Sequence, residues 1–314
     1  MGGLVRAPLC AIRRFATVAV PLLGCMLSLL MSGAACAAPL NILYYGNSFM
    51  NGGSANIPAV VSDIAVAAGY EAPVYIDASI DGFNYSAHWV VNTGVIHSGL
   101  GLGESWDCVV LQNYSTEPTH VGNPALHRSS AVQLYQAVAA HSPAVVPVLF
   151  ETWARGPGHD LYTGPAPEFP GGPFQMQAEL HGAYQLAAGD IDAAAGSSIA
   201  RMAEVGTAFA NTGFDPSLYE SFMYHAEHKG ILLAALVTYS SIYGDPTTSD
   251  IDLSDILAEL GLSPEEGAAL AGAATQVSVP EPASLSLLAM ALAGLGLWRA
   301  CRFTRHGARA AASS

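Results

Sequence analysis

The chain has 314 residues, 25 acids against 11 lysines and arginines, and a formal charge of −14. Seven of the 11 cations fall within 1–37 and 279–314, so the stretch between keeps only Arg128, Arg155, Arg201 and Lys229 against 24 acids, a formal charge of −20. Such a surface repels nucleic acid and anionic lipid, which excludes nucleic acid as a partner and favours a neutral or cationic substrate. Cysteine is equally one-sided: Cys10, Cys25, Cys36 and Cys301 lie in the two ends, leaving Cys108 alone in an apolar run. No disulfide framework is available, so a core must supply the stability, and Cys108 is expected as a buried strand residue with no thiol chemistry.

In chain order, Arg6, Arg13 and Arg14 precede an almost uncharged run over 15–31, followed by small residues ending Ala35-Cys36-Ala37. Positive flank, apolar core and A-x-A site make up a secretory signal peptide over 1–37. Asn41-Ile42-Leu43-Tyr44-Tyr45 then reads as a strand closed by Gly46-Asn47-Ser48. Apolar residues at helical spacing predict a helix over 57–68. Strands are expected at 74–76, 107–112 and 145–150, helices at 130–140 and 174–188, and a fifth strand or buried turn at 199–205. A long apolar helix over 229–243 is stopped by Gly244-Asp245-Pro246. The domain is expected to span 38–247, with 248–278 an acidic, alanine-rich linker or helical appendage. Short apolar strands alternating with helices imply an α/β fold with a parallel sheet covered on both faces, and a site at the carboxyl ends of the strands.

The first strand ends on Ser48, on a tight turn where a hydroxyl and its own backbone N–H can be presented together, as nucleophile and oxyanion donor. Far along the chain, His225 sits on the loop entering the last long helix, from which a histidine can reach back across the sheet to Ser48. In this order the residues resemble the SGNH/GDSL hydrolase superfamily of esterases and carbohydrate deacetylases. The first family block appears as Gly46-Asn47-Ser48, with Asn in place of Asp. Gly82 in Ser79-Ile80-Asp81-Gly82 matches the second block, whose N–H enters the oxyanion hole. The third block supplies a side-chain amide, here Gln112 with Asn113 as second choice, and Glu151-Thr152-Trp153-Ala154 matches a further stretch in one bacterial branch.

The resemblance implies a flavodoxin-like, three-layer α/β/α sandwich with a mainly parallel five-stranded sheet. It implies a serine esterase with catalytic Ser48 and His225, an oxyanion hole from Ser48, Gly82, Gln112 and Asn113, and no cofactor or metal. The family's last block is Asp-x-x-His, but Phe222 stands three residues before His225. Glu220 or Asp215 is then the possible acid that orients the histidine; otherwise the pair works as a dyad, or the protein only binds in a vestigial cleft. Glu151 and Trp153 are candidates to line a substrate groove. The spacing of His225 and His228 lacks a third metal ligand. His88, His97, His120, His127, His141, His159 and His181 read as surface or loop residues. The Gly/Pro-rich stretch 156–173 is either a lid over the strand ends or a passive insertion.

The C-terminus carries Pro280-Glu281-Pro282, an apolar run over 283–298, and then Arg299, Arg302 and Arg305. The run is slightly short of the roughly 20 residues of a comfortable span, and the basic cluster would hold its far side in the cytoplasm. This combination over 279–314 resembles the PEP-CTERM sorting signal of exopolysaccharide-producing Gram-negative bacteria. An exosortase-type membrane protease is the partner so implied, with membrane insertion through the C-terminal helix before processing. The expected substrate is an ester, with acyl groups of extracellular polysaccharide as one source. The alternative is a catalytically impaired surface or matrix protein that binds exopolysaccharide.

Overall fold

Each short apolar run that ends in a turn becomes a strand in the computed structural model, which describes residues 38–278. Strands β1 (Asn41–Tyr45), β2 (Val74–Asp77), β3 (Cys108–Leu111), β4 (Val146–Phe150) and β5 (Arg201–Ala203) form one sheet in the order β2-β1-β3-β4-β5. All four pairings are parallel; Leu43 lies opposite Ile76 on one side and Val109 on the other. The pleat sends Ile42, Tyr44, Cys108, Val110, Val148 and Phe150 into one core, and Leu43, Tyr45, Val109, Leu111 and Leu149 into a second on the opposite face. Burial on both faces explains why these strands read as continuous apolar runs rather than alternating ones. Cys108 is buried and free, and burial pushes its thiol up to about 12.

The helices are α1 (Ser48–Asn51), α2 (Ile57–Ala67), α3 (Tyr85–Val91), α4 (Val95–Ser98), α5 (Pro124–His141), α6 (Gly172–Ala195), α7 (Val205–Asn211), α8 (His228–Tyr243), α9 (Ser254–Leu260) and α10 (Pro264–Ser278). Helix α5 begins six residues before the expected start, because Asn123 accepts from Leu126 N–H and Pro124 needs no acceptor in the first turn. Helix α8 is buried on almost every face and ends at Gly244, whose φ of 68° is the left-handed value a helix stop requires. The region expected as a linker or helical appendage at 248–278 forms α9 and α10. Leu253, Ile256, Leu257, Leu260, Leu270 and Ala274 bury into the same core as α8, and the Thr248 hydroxyl donates to Ala271 O at 2.9 Å. The core therefore continues past residue 247.

The expected signal peptide and the tail with Pro280, Glu281, Pro282 and its apolar run lie outside the described residues. Among the described residues no helix is long and apolar enough to cross a membrane.

Candidate active site

The turn leaving β1 is fixed from every side. Gly46 O accepts from Ile80 N–H at 3.1 Å and from His88 Nε2 at 2.7 Å. Asn47 N–H donates to Gln112 Oε1 at 2.8 Å, and its side chain caps α1 by accepting from Phe49 N–H at 3.1 Å. A Cβ at Gly46 would lie 2.5 Å from Met50 Cγ and 2.9 Å from Gln112 Oε1, so only glycine allows this approach. The Asn47 amide also donates to Phe83 O at 2.8 Å, which holds the Ile80–Phe83 turn beside Ser48. A carboxylate at this position has no proton to give there.

His225 comes from a small hairpin between α7 and α8. Tyr219 and Ala226 form an antiparallel bridge, and Glu220 N–H donates to His225 O at 3.0 Å, so Glu220 and His225 are opposite each other. Met223 N–H closes the turn on Glu220 O at 2.9 Å, with Met223 at a φ of 57°. Glu220 Oε1 lies 3.0 Å from His225 Nδ1, and His225 Nε2 lies 3.0 Å from Ser48 Oγ. A carboxylate on Nδ1 favours the tautomer protonated there, which leaves the Nε2 lone pair facing Ser48 Oγ. Beneath the pair is an aromatic column: Phe49 stacks on Trp153 at 4.5 Å, Trp153 on Phe209 at 4.9 Å, and Phe49 meets His225 edge-on at 5.7 Å.

The Ser48 and Gly82 amides have no acceptor among the described residues, and Gly82 has a φ of 74° with open space around it. Gln112 and Asn113 are placed differently from expectation. Both are fully buried. Gln112 holds Asn47 N–H and directs its amide nitrogen to Asn113 O. Asn113 accepts from Tyr85 and Tyr114 N–H at 2.9 and 2.8 Å and contacts His127 Nδ1 at 2.8 Å. Their amides brace the scaffold instead of opening onto Ser48.

Asp215 is also elsewhere: it caps a 3-10 turn by accepting from Ser217 N–H at 2.9 Å. Glu151 and Trp153 line no groove, since neither is exposed. The Glu151 carboxylate accepts from the Gln177 amide, from Thr207 Oγ1 at 3.1 Å and from His181 Nδ1 at 3.2 Å. Trp153 Nε1 donates to Tyr224 O at 3.2 Å. Three of the histidines expected as surface or loop residues belong to the interior or pair with a buried carboxylate. His88 and His127 are fully buried, and burial lowers both, His127 to about 3. The carboxylate of Glu151 raises His181. The 156–173 stretch is pinned to the body by Phe169, which is fully buried, and by Tyr162, whose hydroxyl donates to Arg155 O at 2.9 Å.

A family model described as the PEP-CTERM protein-sorting motif matches residues 278–302. The chain therefore carries a signal for export and sorting at the membrane of Gram-negative bacteria. No curated protein matches the sequence. Among solved structures, a DUF4886 family protein from Bacteroides uniformis is similar at 16% identity and a TM-score of 0.57, over 76% of this chain and 94% of that one. At that identity the likeness is one of fold. A candidate SGNH hydrolase from Slackia heliotrinireducens aligns at 23% identity and a TM-score of 0.49, over 65% of this chain and 99% of that one. A lipase/acylhydrolase from Enterococcus faecalis aligns at 14% identity and 0.48, over 65% and 96%. The chain thus joins the sorting motif to a parallel five-stranded α/β domain similar in fold to the DUF4886 family protein.

Proposed function

We propose that the chain is an exported serine esterase that acts through Ser48, His225 and Glu220. The observation that carries this reading is the unbroken relay from Glu220 Oε1 to His225 Nδ1 and from His225 Nε2 to Ser48 Oγ, each step 3.0 Å. Ser48 Oγ attacks the ester carbonyl while its proton passes to His225 Nε2, and Glu220 stabilises the imidazolium. The oxyanion is held by the Ser48 and Gly82 amides. As the tetrahedral intermediate collapses, the carbon–oxygen bond to the alcohol breaks and His225 returns the proton to it. Water, deprotonated by His225, then attacks the acyl-serine and releases the acid and the free serine.

The sorting motif and a middle segment of formal charge −20 favour a neutral ester outside the cytoplasmic membrane, such as an acyl group on extracellular polysaccharide. Phe222 favours a non-catalytic reading, but Glu220 offers His225 the carboxylate that Phe222 cannot. Hydrolysis of a short-chain nitrophenyl ester by the wild type and by Ser48→Ala tests the proposal. Loss of turnover in the variant is expected, and equal rates would overturn it.

A further inference from the structure

Among the described residues, three of the four cations answer a negative charge or a helix end. Arg128 pairs with Asp190 at 2.6 Å, and Lys229 with Glu266 at 2.8 Å. Arg201 Nη1 donates to Ser241 O and Ile242 O, at 3.0 and 2.8 Å, near the end of α8. Arg155 is different. It is 2% exposed and meets no carboxylate among the described residues. Nη2 donates to Ser115 Oγ at 2.7 Å, while Nε and Nη1 have no hydrogen-bond partner there.

A buried, unpaired guanidinium is costly, so what it touches matters. Its carbon lies 3.7 Å from the Tyr224 ring centroid and 5.1 Å from that of Phe49. Tyr224 immediately precedes His225, and Phe49 immediately follows Ser48. One cation therefore faces the neighbours of both members of the Ser48–His225 pair, and desolvation strengthens each cation–π contact. The same strip of chain receives the hairpin backbone: Gly156 N–H donates to Met223 O at 2.9 Å, and the Tyr219 hydroxyl donates to Ala154 O at 3.0 Å. A Cβ at Gly156 would lie 2.8 Å from Met223 Sδ, so the close seating depends on glycine.

We infer that Arg155 is a positioning residue, whose cation between Tyr224 and Phe49 holds the His225 hairpin in register with the Ser48 turn. The inference rests on the serine-esterase reading, because its consequence is the 3.0 Å distance between Ser48 and His225. A residue that only filled space would be replaceable by an apolar side chain of similar length. A residue that holds catalytic geometry loses turnover, not substrate affinity, when the charge goes.

The test uses the full-length protein. Arg155→Met is expected to lower kcat on the order of 10²-fold, the scale of a small misplacement at a reacting centre, with KM little changed. Arg155→Lys recovers part of that loss. Tyr224→Leu lowers kcat as well, and the double variant loses no more than the worse single variant, because both remove one contact. Unchanged kcat, a loss borne by KM, or additive losses overturn the inference. If Arg155→Met does not fold, Tyr224→Leu decides alone: lower kcat supports the clamp and unchanged kcat overturns it. If the wild type hydrolyses no ester, the esterase reading fails separately. Hydrogen exchange at the amides of Gly156, Glu220 and His225 then decides the clamp, with faster exchange in Tyr224→Leu supporting it and equal exchange overturning it.

Discussion

Glu220 and His225 are opposite residues of one hairpin, and that pairing places a carboxylate oxygen 3.0 Å from Nδ1 of the histidine. In the Asp-x-x-His pattern two residues separate the acid from its histidine. Here four residues, Ser221 to Tyr224, separate the two, and cross-strand register does what the shorter spacing does elsewhere. Replacing Glu220 by Gln keeps the shape and removes the charge that favours the correct tautomer and the imidazolium. Turnover of a nitrophenyl ester is expected to fall on the order of 10⁴-fold, the size seen for a triad acid.

Phe222 occupies the place in sequence where the acid is expected, but it is 78% exposed. Phe222→Asp is therefore expected to change stability by no more than about 0.5 kcal/mol, the range of ordinary surface substitutions. Combined with Glu220→Gln, it restores no turnover. Restored turnover in the double variant would show that the shorter spacing can also deliver the carboxylate to His225.

Asn47 stands where the resembling family has Asp, and its amide donates to Phe83 O at 2.8 Å. Asn47→Asp turns that contact into two acceptors facing each other. A loss of about 1–3 kcal/mol is expected, the cost of leaving such a partner unsatisfied. Thermal unfolding of the variant measures it, and an unchanged midpoint contradicts the role.

Acid should weaken the fold through its buried histidines. Burial lowers His88 and drives His127 down to about 3. The unfolded chain protonates both near about 6.5. It therefore binds more protons than the native state as pH falls from about 6.5 towards 3, and stability present above that window is lost through it. His181 acts in the opposite sense: Glu151 raises it, so its contribution is present below about 6.5 and is lost as pH rises through the folded value. Midpoints measured between pH 7 and 5 should fall, and fall less steeply in His127→Gln. Equal slopes would contradict the assignment.

Much of this was legible in sequence, and the failures share a cause. Strands β1, β3 and β4 were plain because burial on both faces leaves uninterrupted apolar runs, and the Ser48 turn was marked by Gly46 and Asn47. Gln112, Trp153 and Glu151 become candidates through the family resemblance, whose matching stretches fall at strand ends, where a site is expected. Strand ends also carry buried structural side chains, and all three of these residues are fully buried. His88 and Arg155 had no signal, since their roles depend on Gly46, Tyr224 and Phe49, which are remote from them in sequence. In sequence Glu220 and Asp215 are equally possible acids, and only the hairpin register distinguishes them.

The central claim is that Ser48 is a nucleophile activated by His225. The most direct measurement is covalent labelling of the full-length protein by a fluorophosphonate, with the adduct mapped by peptide mass. A single adduct on Ser48, lost in Ser48→Ala and strongly slowed in His225→Ala, is the predicted result. No adduct on folded wild-type protein, or labelling that persists in Ser48→Ala, would contradict it.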